Sequence, residues 1–133
     1  MTQAVTIDKS TALNELYSRI TQIAEAMGGR VSRIKPSVSF PSAEGAAPRI
    51  EDVPALCVDM PDNFQVEFAP SYPLSLPSDL LVRAKRTHGR LRESDWHFNF
   101  APDGWRRIHA PLSDDEIREC LTPEEGASLR ESP

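Results

Sequence analysis

The sequence predicts an α+β fold, with an N-terminal helix packed on a four-stranded antiparallel meander and short C-terminal helices after it. Three observations carry that expectation. Leu13, Leu16, Tyr17, Ile20, Ile23 and Met27 recur at steps of three and four, the spacing of one helix face. Two runs of alternating apolar residues, Ala55–Met60 and Phe64–Phe68, flank a Pro61-Asp62-Asn63 turn. The helical signals stand at the two ends of the chain instead of alternating with strands, which is the α+β order.

Each element has its own local reason. The first helix starts near Asp8 or Ser10, either of which can cap it, and ends at Gly28-Gly29, where a left-handed residue is wanted. Along Arg30–Phe40 the period becomes two, with Ile34, Val38 and Phe40 on one side and Pro36 interrupting, so an edge strand or a bulge is expected. The stretch from Pro41 to Pro54 offers little to bury and reads as a loop. The hairpin follows, its turn built from a proline that sets φ and an asparagine that tolerates the left-handed region. Leu80-Leu81-Val82 reads as the fourth strand, with Ser78 as an alternative helix cap, and the hydrophilic Arg83–Arg92 stretch reads as a long loop. Trp96, Phe98 and Phe100 alternate again before a strong Pro102-Asp103-Gly104 turn. Ser113-Asp114-Asp115-Glu116 is a capping box, and Thr122-Pro123-Glu124-Glu125 is a second with proline at the first helical position.

Composition narrows the class. The 133 residues suit one domain, 1–133, and a net charge of −5 argues against a basic nucleic-acid binder. Neither a membrane span nor an export signal is visible, and two cysteines make neither a disulfide framework nor a four-ligand zinc site. The expectation is a cytoplasmic protein without metal or cofactor. Arginine outnumbers lysine, which with the short length suggests a bacterial source.

Three motifs in order give the chain a resemblance. Tyr72-Pro73-Leu74-Ser75-Leu76-Pro77 leaves the hairpin, His97-Phe98-Asn99 precedes Gly104, and Ala110-Pro111-Leu112-Ser113 leads into a capped helix. Together they resemble the ubiquitin-conjugating enzymes and the related RWD domains, over roughly Leu13 to Leu121. The resemblance implies a catalytic site in which the Asn99 amide supports an oxyanion and His97 locks the loop beside it. It also implies partners: a ubiquitin-like modifier, an activating enzyme and a target protein. The departures are specific. Arg107 stands where the family has its nucleophilic cysteine, Phe98 replaces a proline, and the segment between Tyr72 and His97 is longer than the family's.

Cys120 lies on the apolar side of a helix and Cys57 between two strand residues, so both read as structural thiols. An active protein would then need a hydroxyl nucleophile, for which Ser113 and Ser94 are the candidates, although helix capping alone accounts for Ser113 and a solvated loop for Ser94. The basic residues Arg83, Lys85, Arg86, Arg90 and Arg92 suit a solvated loop or an acidic partner, and they lack the interleaved aromatics of a single-strand binder. The expected function is conjugation of a ubiquitin-like modifier to a target amine through a serine oxyester, with Asn99, His97 and Ser113 in the site. The alternatives are a non-catalytic RWD-like binding module and, third, a small phage or plasmid inhibitor.

Overall fold

The structure is a computed structural model that describes residues 9–41, 45–72, 74 and 80–123. Helix α1 (Lys9–Ala26) buries Leu13, Leu16, Tyr17, Ile20, Ile23 and Ala24, the stripe the spacing predicts. It stops at Gly28, whose φ of 91° is left-handed. Gly29 then passes so close to Met60 that a Cβ there would sit 2.5 Å from its sulfur.

The strands are β1 (Arg30–Ile34), β2 (Ser37–Phe40), β3 (Arg49–Asp52), β4 (Ala55–Met60), β5 (Phe64–Pro70), β6 (Leu81–His88), β7 (Leu91–Arg92), β8 (Trp96–Ala101), β9 (Gly104–Arg107) and β10 (Ala110–Pro111), followed by helix α2 (Asp114–Cys120). One eight-stranded antiparallel sheet runs β1-β4-β5-β6-β8-β9-β10, with β7 also on β6, while β2 and β3 form a separate hairpin. The β4–β5 hairpin has the expected register, Met60 opposite Phe64, and both Asp62 and Asn63 adopt positive φ in its turn. Both helices contribute to a single core with the inward residues of β4, β5, β6 and β8. Phe68 and Phe98 stack at its centre, 6.2 Å between centroids, each fully buried. Burial of one such side chain stabilises by about 1.5–3 kcal/mol.

The expected four-stranded meander with short C-terminal helices is therefore corrected to an eight-stranded sheet. Beyond the four expected strands, β7, β8, β9 and β10 complete the sheet, and two stretches depart from their reading as loops. Arg83–Arg92 is not a loop but most of β6 and all of β7. Along β6, Val82, Ala84 and Arg86 point inward and are buried, so an arginine occupies a core position and breaks the apolar alternation. The chain reverses at Gly89, φ 62°. The Pro41–Pro54 stretch likewise holds β3, whose Ile50 is exposed and gives no burial signal. At Pro36 the predicted edge strand divides into β1 and β2, as a residue without an N–H donor dictates.

Arg86 is 1% exposed, and its burial is fully organised. Its Nε donates to the Cys120 carbonyl at 2.9 Å, Nη2 to the Thr122 carbonyl at 2.7 Å and Nη1 to the Ser94 carbonyl at 3.3 Å. The guanidinium lies over the rings of Phe64 and Trp96 and pairs with the buried Glu93 at 3.3 Å. A cation is thus placed against the carbonyl end of α2, where the helix dipole favours it. The N-terminal end of α2 carries the predicted capping box between Ser113 and Glu116, and Arg19 of α1 ties down Leu112 and Asp114 beside it. The second predicted capping box extends outside the described residues.

Candidate functional site

The features that set the site apart lie where β8 and β9 separate. Their pairing runs from Ala101↔Gly104 to Asn99↔Arg106 and stops there, leaving the Trp96–Phe98 part of β8 paired only to β6. Beyond Arg106 the chain turns at Ile108 and comes back as β10. A groove of about 300 Å³ lies there, lined by Trp96, His97, Asn99, Arg107 and Ile108, with Leu81 and Asp95 completing it.

Local sequence explains each placement. Phe98 points into the core, so its neighbours His97 and Asn99 must emerge on the opposite face, His97 exposed and Asn99 half-buried. Cross-strand register puts Asn99 between Leu81 and Arg106, and His97 opposite Arg83. The β8–β9 turn is steadied by Arg106, whose side-chain bonds hold the Asp103 carboxyl below the usual carboxylate range. Arg107 is held in two directions. Its guanidinium carbon sits 3.6 Å from the Trp96 ring centroid, and Nη1 is 3.5 Å from Glu116 Oε2 on α2.

Ile108 is the anomaly. It is 68% exposed, and its φ of 61° is a left-handed value that a β-branched residue rarely adopts. A two-residue hairpin turn wants glycine at such a position. A left-handed backbone costs an L-residue about 1–2 kcal/mol, and such strain concentrates at binding and catalytic sites.

The structure brings two of the sequence-predicted site residues together. His97 and Asn99 share the groove, whereas Ser113 is outside its lining and is occupied with Glu116, its Oγ accepting from the Glu116 N–H at 3.2 Å. The Ser94 carbonyl accepts from Arg86 Nη1 at 3.3 Å. Arg107 reaches the groove as a cation held by Trp96 and Glu116. Cys120 is fully buried, and desolvation pushes its thiol up to about 12. Cys57, half-buried on the opposite sheet face, is also raised, first by burial and then by the carboxylates of Asp59 and Glu67. Both thiols are therefore held in the protonated, weakly nucleophilic form at neutral pH. Tyr72 is exposed, and Pro73 and Pro77 of its motif are outside the described residues.

Sequence reasoning missed Ile108 and the Arg107–Trp96 stack. Neither has a local signal, because the first depends on a backbone angle and the second on residues eleven positions apart that only the β8–β9 return brings together. Among the described residues, no group of three or more His, Cys, Asp or Glu is arranged to hold a metal ion, and no helix is long and apolar enough to cross a membrane. Compared with protein-family models, curated proteins and solved structures, the chain matches none.

Proposed function

We propose that the protein is a non-catalytic binding module that holds an extended segment of a partner protein in the β8–β9 groove. The observation that carries this reading is Ile108, an apolar side chain kept in solvent by a strained turn beside the groove. An exposed apolar anchor next to a fixed cation and two polar side chains is the composition of a small protein-recognition site. The segment's apolar residue would cover Ile108, while Asn99 and His97 offer hydrogen bonds to its backbone and Arg107 favours a carboxylate. The C-terminal tail of a ubiquitin-like modifier, the partner that the family resemblance implies, has this chemistry.

A second reading, transfer of such a modifier, is favoured by one observation: His97 and Asn99 line the same groove. It requires a nucleophile, and the two thiols are disfavoured by burial. One experiment separates the readings. The full chain is incubated with a ubiquitin-like modifier, its activating enzyme and ATP, then followed by gel mobility and by amide chemical shifts. The binding module gives reversible shifts around residues 96–108 and no covalent product. An adduct that survives reductant and falls to hydroxylamine would establish the oxyester transferase instead. The absence of both shifts and adduct would remove the modifier as the partner.

A further inference from the structure

The opposite margin of the sheet has a groove of its own. Among the described residues β1 is the terminal strand, so every second residue along Arg30–Ile34 turns its backbone N–H and C=O away from β4. The strand is five residues long and has no proline, so nothing in it blocks a further strand. Positive charge gathers there. Arg30, Arg33 and Lys35 are all exposed within six positions. Arg33 is oriented by α1: Nη1 donates to Asn14 Oδ1 at 2.8 Å, and the guanidinium carbon is 5.9 Å from the Tyr17 ring centroid. At the end of the strand, Tyr17, Ile34 and Pro54 join Arg33 and Lys35 around a groove of about 410 Å³, with Ile34 41% exposed.

We infer that this edge is a second interaction surface, which takes an acidic, extended segment of a partner protein as an added strand. Main-chain hydrogen bonds to β1 supply the register, the apolar groove at Ile34 takes one side chain, and the three cations select for carboxylates on the incoming strand. The acidic neighbour in the ladder is Asp59, opposite Arg30, which leaves the Arg33–Lys35 end the more strongly positive. Basic residues on an edge strand also keep copies of the same chain from pairing with one another. The same charges admit a strand of opposite sign, so an arrangement that prevents self-association selects the partner. Nothing in this surface depends on the β8–β9 groove, since the two share no residue.

The test uses the isotope-labelled full chain and a peptide of about ten residues, a typical strand and its flanks, alternating valine with glutamate. A second peptide has lysine for every glutamate. The acidic peptide should shift the amides of residues 30–35 and slow their hydrogen exchange, with binding weakened by salt. In the Arg30→Glu, Lys35→Glu double variant its affinity should fall about tenfold or more, and the lysine peptide should gain in its place. Both substituted residues are exposed, so an unchanged melting temperature verifies the fold. Shifts confined to other parts of the chain, acidic-peptide affinity unmoved by the charge reversal, or no binding at millimolar peptide would each overturn the inference. Ile108→Gly, which disables the other groove, should leave this binding intact, and loss of binding in that variant would also overturn it.

Discussion

Replacing Ile108 with glycine should make the protein more stable and less able to bind, an opposition that separates function from packing. The left-handed backbone costs an L-residue about 1–2 kcal/mol. Glycine removes that cost but loses about 0.5–1 kcal/mol through its freer unfolded chain. The side chain lost is largely in solvent, so little burial is forfeited. The net gain is about 0.5–1 kcal/mol. With an unfolding entropy of about 2.1 cal/mol/K per residue over a chain of 133, that gain raises the melting temperature by about 2–4 °C. Binding should move the other way: an isoleucine buried by a partner is worth about 1.5–3 kcal/mol, a weakening of roughly 10-fold to 150-fold. Differential scanning calorimetry and titration of the partner segment measure both on one sample. Ile108→Ala is the control, because it removes most of the apolar surface, keeps the Cβ and should weaken binding without the stability gain. A lower melting temperature for Ile108→Gly would refute the strain, and unchanged affinity would refute the contact.

Truncating the buried cation, Arg86→Ala, takes the guanidinium from Glu93 and uncaps the carbonyls of Cys120 and Thr122, so urea unfolding should show a loss of about 3–5 kcal/mol. The double variant Arg86→Met, Glu93→Gln should recover part of that loss, and an equal or larger loss would contradict it. Alkali should weaken the fold through two groups. Burial raises the Tyr17 hydroxyl above the usual phenol range and the Cys120 thiol to about 12, so the neutral forms belong to the folded state. Their contribution is fully present below the unfolded values, near 9 for the thiol and 10 for the phenol, and is lost as pH climbs toward the folded ones. Denaturant midpoints between pH 8 and pH 11 check this, and a midpoint that rises over that interval would be fatal to it. Iodoacetamide at neutral pH should leave Cys120 unmodified until unfolding, as peptide mass mapping will report; native labelling would place that thiol at the surface. Gly29→Ala forces a Cβ toward Met60 and the carbonyls of Ala24 and Asp59, with an expected cost of about 1–3 kcal/mol by thermal melting. No loss would show that β4 yields freely there.

What the sequence made legible was periodicity backed by burial. α1, the β4–β5 hairpin, the alternation along β8 and the capping box of α2 all present apolar or capping residues at their required spacing. The elements that escaped had their inward positions filled by something other than hydrocarbon. β6 hides its period behind Arg86, which donates to the carbonyls of Cys120 and Thr122 and pairs with Glu93, partners distant in sequence or across a turn. Among the described residues β3 pairs only with β2, and it exposes Ile50, so its sequence presents no buried apolar face. In the candidate site, the outward direction of His97 and Asn99 followed from Phe98 between them. The strain at Ile108 did not, because ordinary strand-forming residues give no warning of a left-handed turn.

Arg107 accounts for the shape of the groove. An uninterrupted β8–β9 ladder would continue past Asn99↔Arg106 and cover the edge of β8. Arg107 instead stacks on Trp96 and reaches Glu116 of α2, so its side chain is bound toward the helix layer at the point where pairing ends. The chain must then reverse within two residues, and the reversal puts Ile108 in the left-handed region. A cysteine at 107 is too short to span Trp96 and Glu116 together and would impose neither constraint. An arginine at 107 can thus hold the groove open, which supports the proposed holding of a segment over its transfer.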